Sequence, residues 1–249
     1  MTFVARTKQP TRITQPTKRE RREPMQSRSR ERMATILDVT ARLVDELGPD
    51  QVTTTLIAEQ AGISVGSVYS YFHDRSSIFD AIVERSIVTL DELVAATRRK
   101  VPPGQILEGS HAIVDALAEM YRTEPGFRSL WFSQHLSTTM LATMRRSDDH
   151  QAQRLLDLLA ANGMYLDRDQ PFVAAQIYVG LIDKCFDLAF RNNPDGDQAL
   201  IDELKHAIGI FFAAYLREGT PPTPPAAASR AGRSKPSHRT ASTKKRKTA

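Results

Sequence analysis

The sequence predicts an all-α fold, and three observations carry that prediction. Apolar residues recur at three- and four-residue steps from about Arg28 to Glu218, with no period-two alternation. Glycine and proline punctuate these runs where helices would end, at Gly48-Pro49, Pro102-Pro103-Gly104, Pro125-Gly126, Asn162-Gly163 and Asn192 to Gly196. Apolar residues make up 41% of the 249-residue chain and charged ones 25%, which suits a packed helical body. Charge interrupts every long apolar run, so no segment is expected to span a bilayer.

About nine helices follow in order. The first is expected at about 28–47, with Met33, Ile36, Leu37, Thr40, Leu43, Val44 and Leu47 on one face. Two short helices come next. Thr53 or Thr54 caps the first, which turns Leu56, Ile57 and Ala61 inward; Ser64 caps the second, at about 65–72. Asp74 or Ser76 opens a long helix with Ile78, Phe79, Ile82, Val83, Ile87, Leu90 and Val94 on its apolar face. The remaining helices are expected at about 105–123, 126–134, 137–161, 169–191 and 198–218.

The net charge of +5 conceals an uneven layout. Residues 1–32 carry ten Lys/Arg against three Asp/Glu, and residues 221–249 carry eight basic residues and no acidic one. The body between them is acidic, with 16 basic and 26 acidic residues. Segments 1–27 and 219–249 are rich in Pro, Thr, Arg or small residues and are expected to be disordered basic arms. Basic arms on an acidic body suit contact with a polyanion, although solubility alone accounts for the same layout. The N-terminus lacks the apolar stretch of a secretory signal, so a cytoplasmic, nucleoid-associated protein is expected. Cys185, the only cysteine, excludes an intramolecular disulfide and a multi-cysteine metal site. Its apolar helical setting reads as a small buried hydrophobe, with a redox-sensing thiol as the alternative.

The most informative stretch runs from Thr53 to Arg75, TTTLIAEQAGISVGSVYSYFHDR. Two short helices joined by a glycine-containing turn form a helix-turn-helix. Ala58 is small where the helices cross, Gly62 supplies the turn, and Ile63 and Val68 plug the core beneath. Ser64, Val65, Ser67, Ser70 and Tyr71 are thereby left to project from a helix sized for the DNA major groove.

These residues resemble the DNA-binding domain of the TetR family, through Ala58, Ala61-Gly62-Ile63-Ser64, Gly66-Ser67-Val68-Tyr69-Ser70-Tyr71-Phe72, Arg75 and Ile78. The resemblance covers about 50 residues, and departs from the usual pattern at Val65, where a basic residue is frequent, and in Arg75 for lysine and Ile78 for leucine. It implies a sequence-specific regulator, most simply a homodimeric repressor of a palindromic operator released by a small molecule. Thr53, Thr54, Ser64, Ser67, Tyr69 and Tyr71 would meet phosphates and the groove edge, Val65, Gly66 and Ser70 the bases, and Arg75 a phosphate. Packing the domain core is the other reading for Tyr69 and the stronger one for Phe72. Residues 28–79 hold five basic against seven acidic residues, so the segment from Lys18 through Arg28, Arg30 and Arg32 is expected to follow the minor groove.

The resemblance also implies a helical regulatory and dimerisation domain at 75–218, following a DNA-binding domain at 28–74. Val179, Ile182, Phe186, Ile208, Phe211, Phe212 and Tyr215 are expected at the dimer interface. His111, Phe127, Trp131, Phe132, His135, Met140, Met144 and Asp183 are expected around an effector pocket. No cofactor, metal or membrane is expected. No phosphate loop, paired-histidine helix or nucleophile with a nearby base points to an enzyme. A non-specific DNA-compacting protein using its tails, a helix-turn-helix turned to protein contact, and an activator of the same fold remain as alternatives.

Overall fold

The structure, a computed structural model, describes residues 18–219, with side chains from Ser27 onward. The expected disorder of segments 1–17 and 220–249 falls outside the described residues. Those residues fold into helices α1 (Lys18–Leu47), α2 (Thr54–Gln60), α3 (Val65–Tyr69), α4 (Arg75–Arg99), α5 (Ile106–Thr123), α6 (Phe127–Trp131), α7 (Thr138–Ala161), α8 (Pro171–Phe190) and α9 (Gln198–Tyr215). Strands β1 (Met164–Leu166) and β2 (Leu216–Glu218) complete the set.

Helix ends follow local chemistry. Thr53 caps α2 by accepting from Leu56 N–H, and Ser64 caps α3 by accepting from Ser67 N–H. Asp74 and Ser77 form a reciprocal capping box at α4. Ser137 and Asp197 cap α7 and α9, and Pro171 opens α8 at a position whose missing N–H costs nothing.

Three differences from the sequence reading stand out. Helix α1 begins at Lys18, so residues 18–27, read as a disordered arm, are helical; Lys, Arg and Glu are good helix formers and extend a helix already anchored at Ile36. Met33 and Leu47, placed on the buried face, are exposed because they lie beyond the packed stretch Ile36–Val44. The last helix stops at Tyr215, and the chain continues as β2, antiparallel to β1 with Leu166 opposite Leu216. Two three-residue strands are too short to show alternation in a sequence.

One continuous core joins the two ends of the molecule. Around α1–α4 it holds Ile36, Val44, Ile57, Val68, Ile78 and Phe79. Further along it becomes aromatic: the Tyr121 ring meets Phe127 edge-on at 4.7 Å and stacks on Phe186 at 4.9 Å. Among the described residues no helix is long and apolar enough to cross a membrane.

Candidate nucleic-acid interface and interior cavity

The turn between α2 and α3 is closed by Gly62, whose φ of +64° places its N–H on Glu59 O and lets Ile63 N–H reach Ala58 O at 3.0 Å. Ala58 and Ile57 are buried under the crossing, and Val68 fixes α3 from below with no exposed surface. The outer side of α3 is consequently presented by a rigid base. Gly66 is exposed there, and a Cβ added to it would meet only Ser64 Oγ, at 3.9 Å. Packing within the chain gives no reason for a glycine at that position.

The hydroxyls on this surface are ordered by one another. Ser64 and Ser67 share a 2.8 Å hydrogen bond, and Ser70 Oγ donates to Ser67 O at 2.6 Å. Tyr69 is 52% exposed and shares a 3.2 Å hydrogen bond with Thr54 Oγ1, so it belongs to the surface rather than the core; Phe72 is buried. Thr53 is exposed, while Val65 and Tyr71 are half-buried at the rim. A groove of about 1070 Å³, mouth included, separates α1 from the α2–α3 turn and Tyr71, and brings Arg28 and Arg32 to face Gly62, Ile63 and Tyr71. Arg30 is exposed on another side of α1 and does not line that groove.

Arg75, expected at a phosphate, also has a role within the chain. Its Nη1 donates to the carbonyls of Pro49, Asp50 and Val52 at 3.0–3.2 Å, and the guanidinium lies over Phe79, 5.5 Å from the ring centre. Through Nη1 it clamps the α1–α2 loop to the start of α4.

A second feature is a cavity among α4, α5, α6, α7 and α8, with about 670 Å³ of empty space, mouth included. Of the residues expected around an effector pocket, Phe127, Trp131 and Asp183 line it. The others do not. His111 Nε2 contacts Lys205 O at 3.1 Å, His135 Nε2 lies 3.0 Å from Asp50, Phe132 is exposed, and Met140 and Met144 pack elsewhere against the core. Helical spacing identified their faces as apolar but not which neighbour each face meets. Arg98, Tyr121, Asp148, Gln151 and Tyr178 line the cavity and were missed. Tyr121 shares a face with Leu117 and Ile113 at four-residue spacing, a signal available in the sequence. Asp148 lies in the polar run Ser147-Asp148-Asp149-His150 and gave none.

Burial, with the neighbouring Asp148 carboxylate, pushes the Asp183 carboxyl up to about 7. Burial and Asp149 push Asp148 up to about 6. The Tyr121 phenol is raised well above its ordinary value by burial and then by Asp183. Burial also pushes the Cys185 thiol up, which disfavours the thiolate a redox sensor needs. Among the described residues no cluster of His, Cys, Asp or Glu is arranged to hold a metal ion.

The residues expected at a dimer interface are also redistributed. Ile182, Phe186, Ile208, Phe211 and Phe212 are buried within the chain, Val179 and Tyr215 are half-buried, and Val179, Ile182 and Phe186 line the cavity. The largest and most apolar side chains of α8 and α9 were assigned outward, whereas they fill the chain's own core. The exposed stripe instead carries Val173, Ile177 (61% exposed) and Leu188 on α8 and Ile210 (58%) on α9.

Residues 36–82 match the bacterial regulatory proteins of the tetR family, and residues 107–216 match the tetracyclin repressor-like C-terminal domain. The chain belongs to the TetR family. A TetR-family transcriptional regulator from Streptomyces coelicolor superposes with a TM-score of 0.59 at 26% identity, over 73% of this chain and 98% of that one. SmeT, the repressor of the Stenotrophomonas maltophilia multidrug efflux pump SmeDEF, shares the fold with a TM-score of 0.56 at 22% identity, over 78% and 96% of the two chains. The nucleoid occlusion factor SlmA of Haemophilus ducreyi is 34% identical over 98 residues, 39% of this chain and 48% of that protein. The chain thus spans about half the length of that relative. The regulator BetI of Escherichia coli is 26% identical over 149 residues, 59% of this TetR-family chain and 76% of BetI.

Replacing Arg75 with alanine should lower the unfolding free energy by about 2 kcal/mol, because three loop carbonyls lose a charged donor. Urea denaturation reads the change, and an unaltered midpoint would leave Arg75 as a candidate DNA contact alone.

Proposed function

We propose that this protein is a sequence-specific transcriptional regulator, a homodimeric repressor that leaves a palindromic operator when a small molecule fills the interior cavity. The observation that carries the reading is α3: Val68 and Ile57 hold it from beneath, while Gly66, Ser70 and Tyr69 are exposed on its outer side. A helix so presented fits the major groove, and one such helix reads few base pairs, which favours two copies across a symmetric site. Val65 offers an apolar contact for a thymine methyl, and the hydroxyls of Thr53, Ser64 and Tyr71 offer donors to the backbone.

The exposed apolar residues Val173, Ile177, Leu188 and Ile210 mark the surface on which a second copy would pack, because they lie on two adjacent helices and are not covered within the described chain. Helix α6 supports the effector reading. Its inner side gives Phe127 and Trp131 to the cavity, and its outer side is fastened to α1: Asp45 accepts from Gly126 N–H at 2.8 Å and Ser129 Oγ at 2.9 Å. A ligand that displaces α6 therefore acts on the helix that carries the reading head.

The deciding experiment is a gel shift on the DNA upstream of the protein's own gene with excess random competitor. Retention of a discrete site supports the regulator, and loss to competitor supports the compacting alternative. In that assay Gly66→Ala should weaken site binding about tenfold or more, by holding the duplex away. The fold should be unharmed or steadier by up to about 1 kcal/mol. Tight binding by this variant would remove Gly66 from the interface. Ile177→Glu with Ile210→Glu should give monomers in sedimentation and lower operator affinity about 100-fold or more, since the second half-site no longer adds to the first; a persistent dimer would place the interface elsewhere. Removing residues 1–26 should flatten the salt dependence of binding, and an unchanged slope would discard the arm.

A further inference from the structure

We infer that the interior cavity selects an organic cation, an apolar or aromatic body bearing a protonated or quaternary amine. The inference rests on the effector reading of that cavity and adds the charge of its ligand.

Asp148 on α7 and Asp183 on α8 both line the cavity. Among the described residues neither carboxyl has a hydrogen-bond or ion-pair partner. The basic side chains nearby are engaged with other acids: Lys184 and Arg191 hold Asp187, and Arg154 pairs with Asp91 at 3.5 Å. Arg98, the one basic residue in the lining, stands near Tyr178 and Arg154 and is not among the charges that act on either carboxyl. Burying two acids without a counter-charge costs several kcal/mol in general, and their raised proton affinities record that cost. An incoming cation would remove it.

An independent feature points to the same occupant. Tyr121 is 4% exposed and lines the cavity beside Asp183, yet its hydroxyl has no hydrogen-bond partner among the described residues. The hydroxyl faces the cavity, where water or the N–H of a protonated amine can match it. The surrounding walls are aromatic, with Tyr121, Phe127, Trp131 and Phe186 offering ring faces and edges. Rings of this kind attract a desolvated ammonium and its alkyl groups, whereas they offer nothing comparable to a carboxylate or phosphate. Charge and surface therefore select the same ligand chemistry.

The test uses the full-length protein and two probes of matched shape, trimethyl(4-hydroxyphenyl)ammonium and 4-tert-butylphenol, measured by calorimetry. The cation should bind about tenfold or more tighter than the neutral probe. In a D148N/D183N double variant, shown to be folded by circular dichroism, the two probes should bind alike. Equal binding to the unaltered protein, or a preference that survives in the double variant, would overturn the assignment of charge and leave the cavity as an effector site. Failure of the cation to bind the unaltered protein would overturn the assignment of charge, and failure of both probes would overturn the effector reading as well.

Discussion

The close approach of Gly126 to Ala41 is the constraint on which the arrangement depends. With φ at +76°, Gly126 starts α6 directly against the α1 backbone, where an added Cβ would lie 3.0 Å from Ala41 Cα. No side chain fits between the two helices, so α6 and α1 cannot shift independently without opening a gap in packing. Asp45 then fixes the orientation through its two bonds to Gly126 and Ser129. The cavity wall and the DNA-facing unit are in this way parts of one packed body. The ion pair of Arg85 with Asp38 ties α4 to α1, and the Asp80 bond to Ser137 N–H ties α4 to the start of α7.

What the sequence discloses follows from how local the controlling physics is. The caps at Thr53, Ser64 and Asp74, the Gly62 turn and the buried Val68 involve residues only a few positions apart, and all are readable from residue type and spacing. Arg75 shows the limit. Its type and position suggest a phosphate contact, and only the fold reveals that carbonyls more than twenty positions upstream engage its Nη1. The cavity shows the same limit in another form. Asp183 attracted notice as a polar residue in an apolar helix, whereas Asp148 lies among polar neighbours and gives no sign that α7 turns it inward.

Helix α8 explains the misplaced dimer residues. It serves three surroundings at once: Ile182 and Phe186 face the cavity, Tyr178 borders both the cavity and the Phe211 and Phe212 rings of α9, and Ile177 and Leu188 face outward. A helix apolar on nearly every side has no periodicity that separates an inner from an outer face. Size is then a poor guide, since Ile182 is buried while Ile177 and Phe172 are exposed.

The Arg75 clamp has a mechanical consequence. By tying the α1–α2 loop to the first turn of α4, it makes that helix and the reading head a single lever. Helix α4 is about 37 Å long at 1.5 Å per residue, and Val94 and Arg98 touch the cavity at its far end. A tilt of about 5° there carries the opposite end through about 3 Å, comparable to a base-pair step, without bending the head itself.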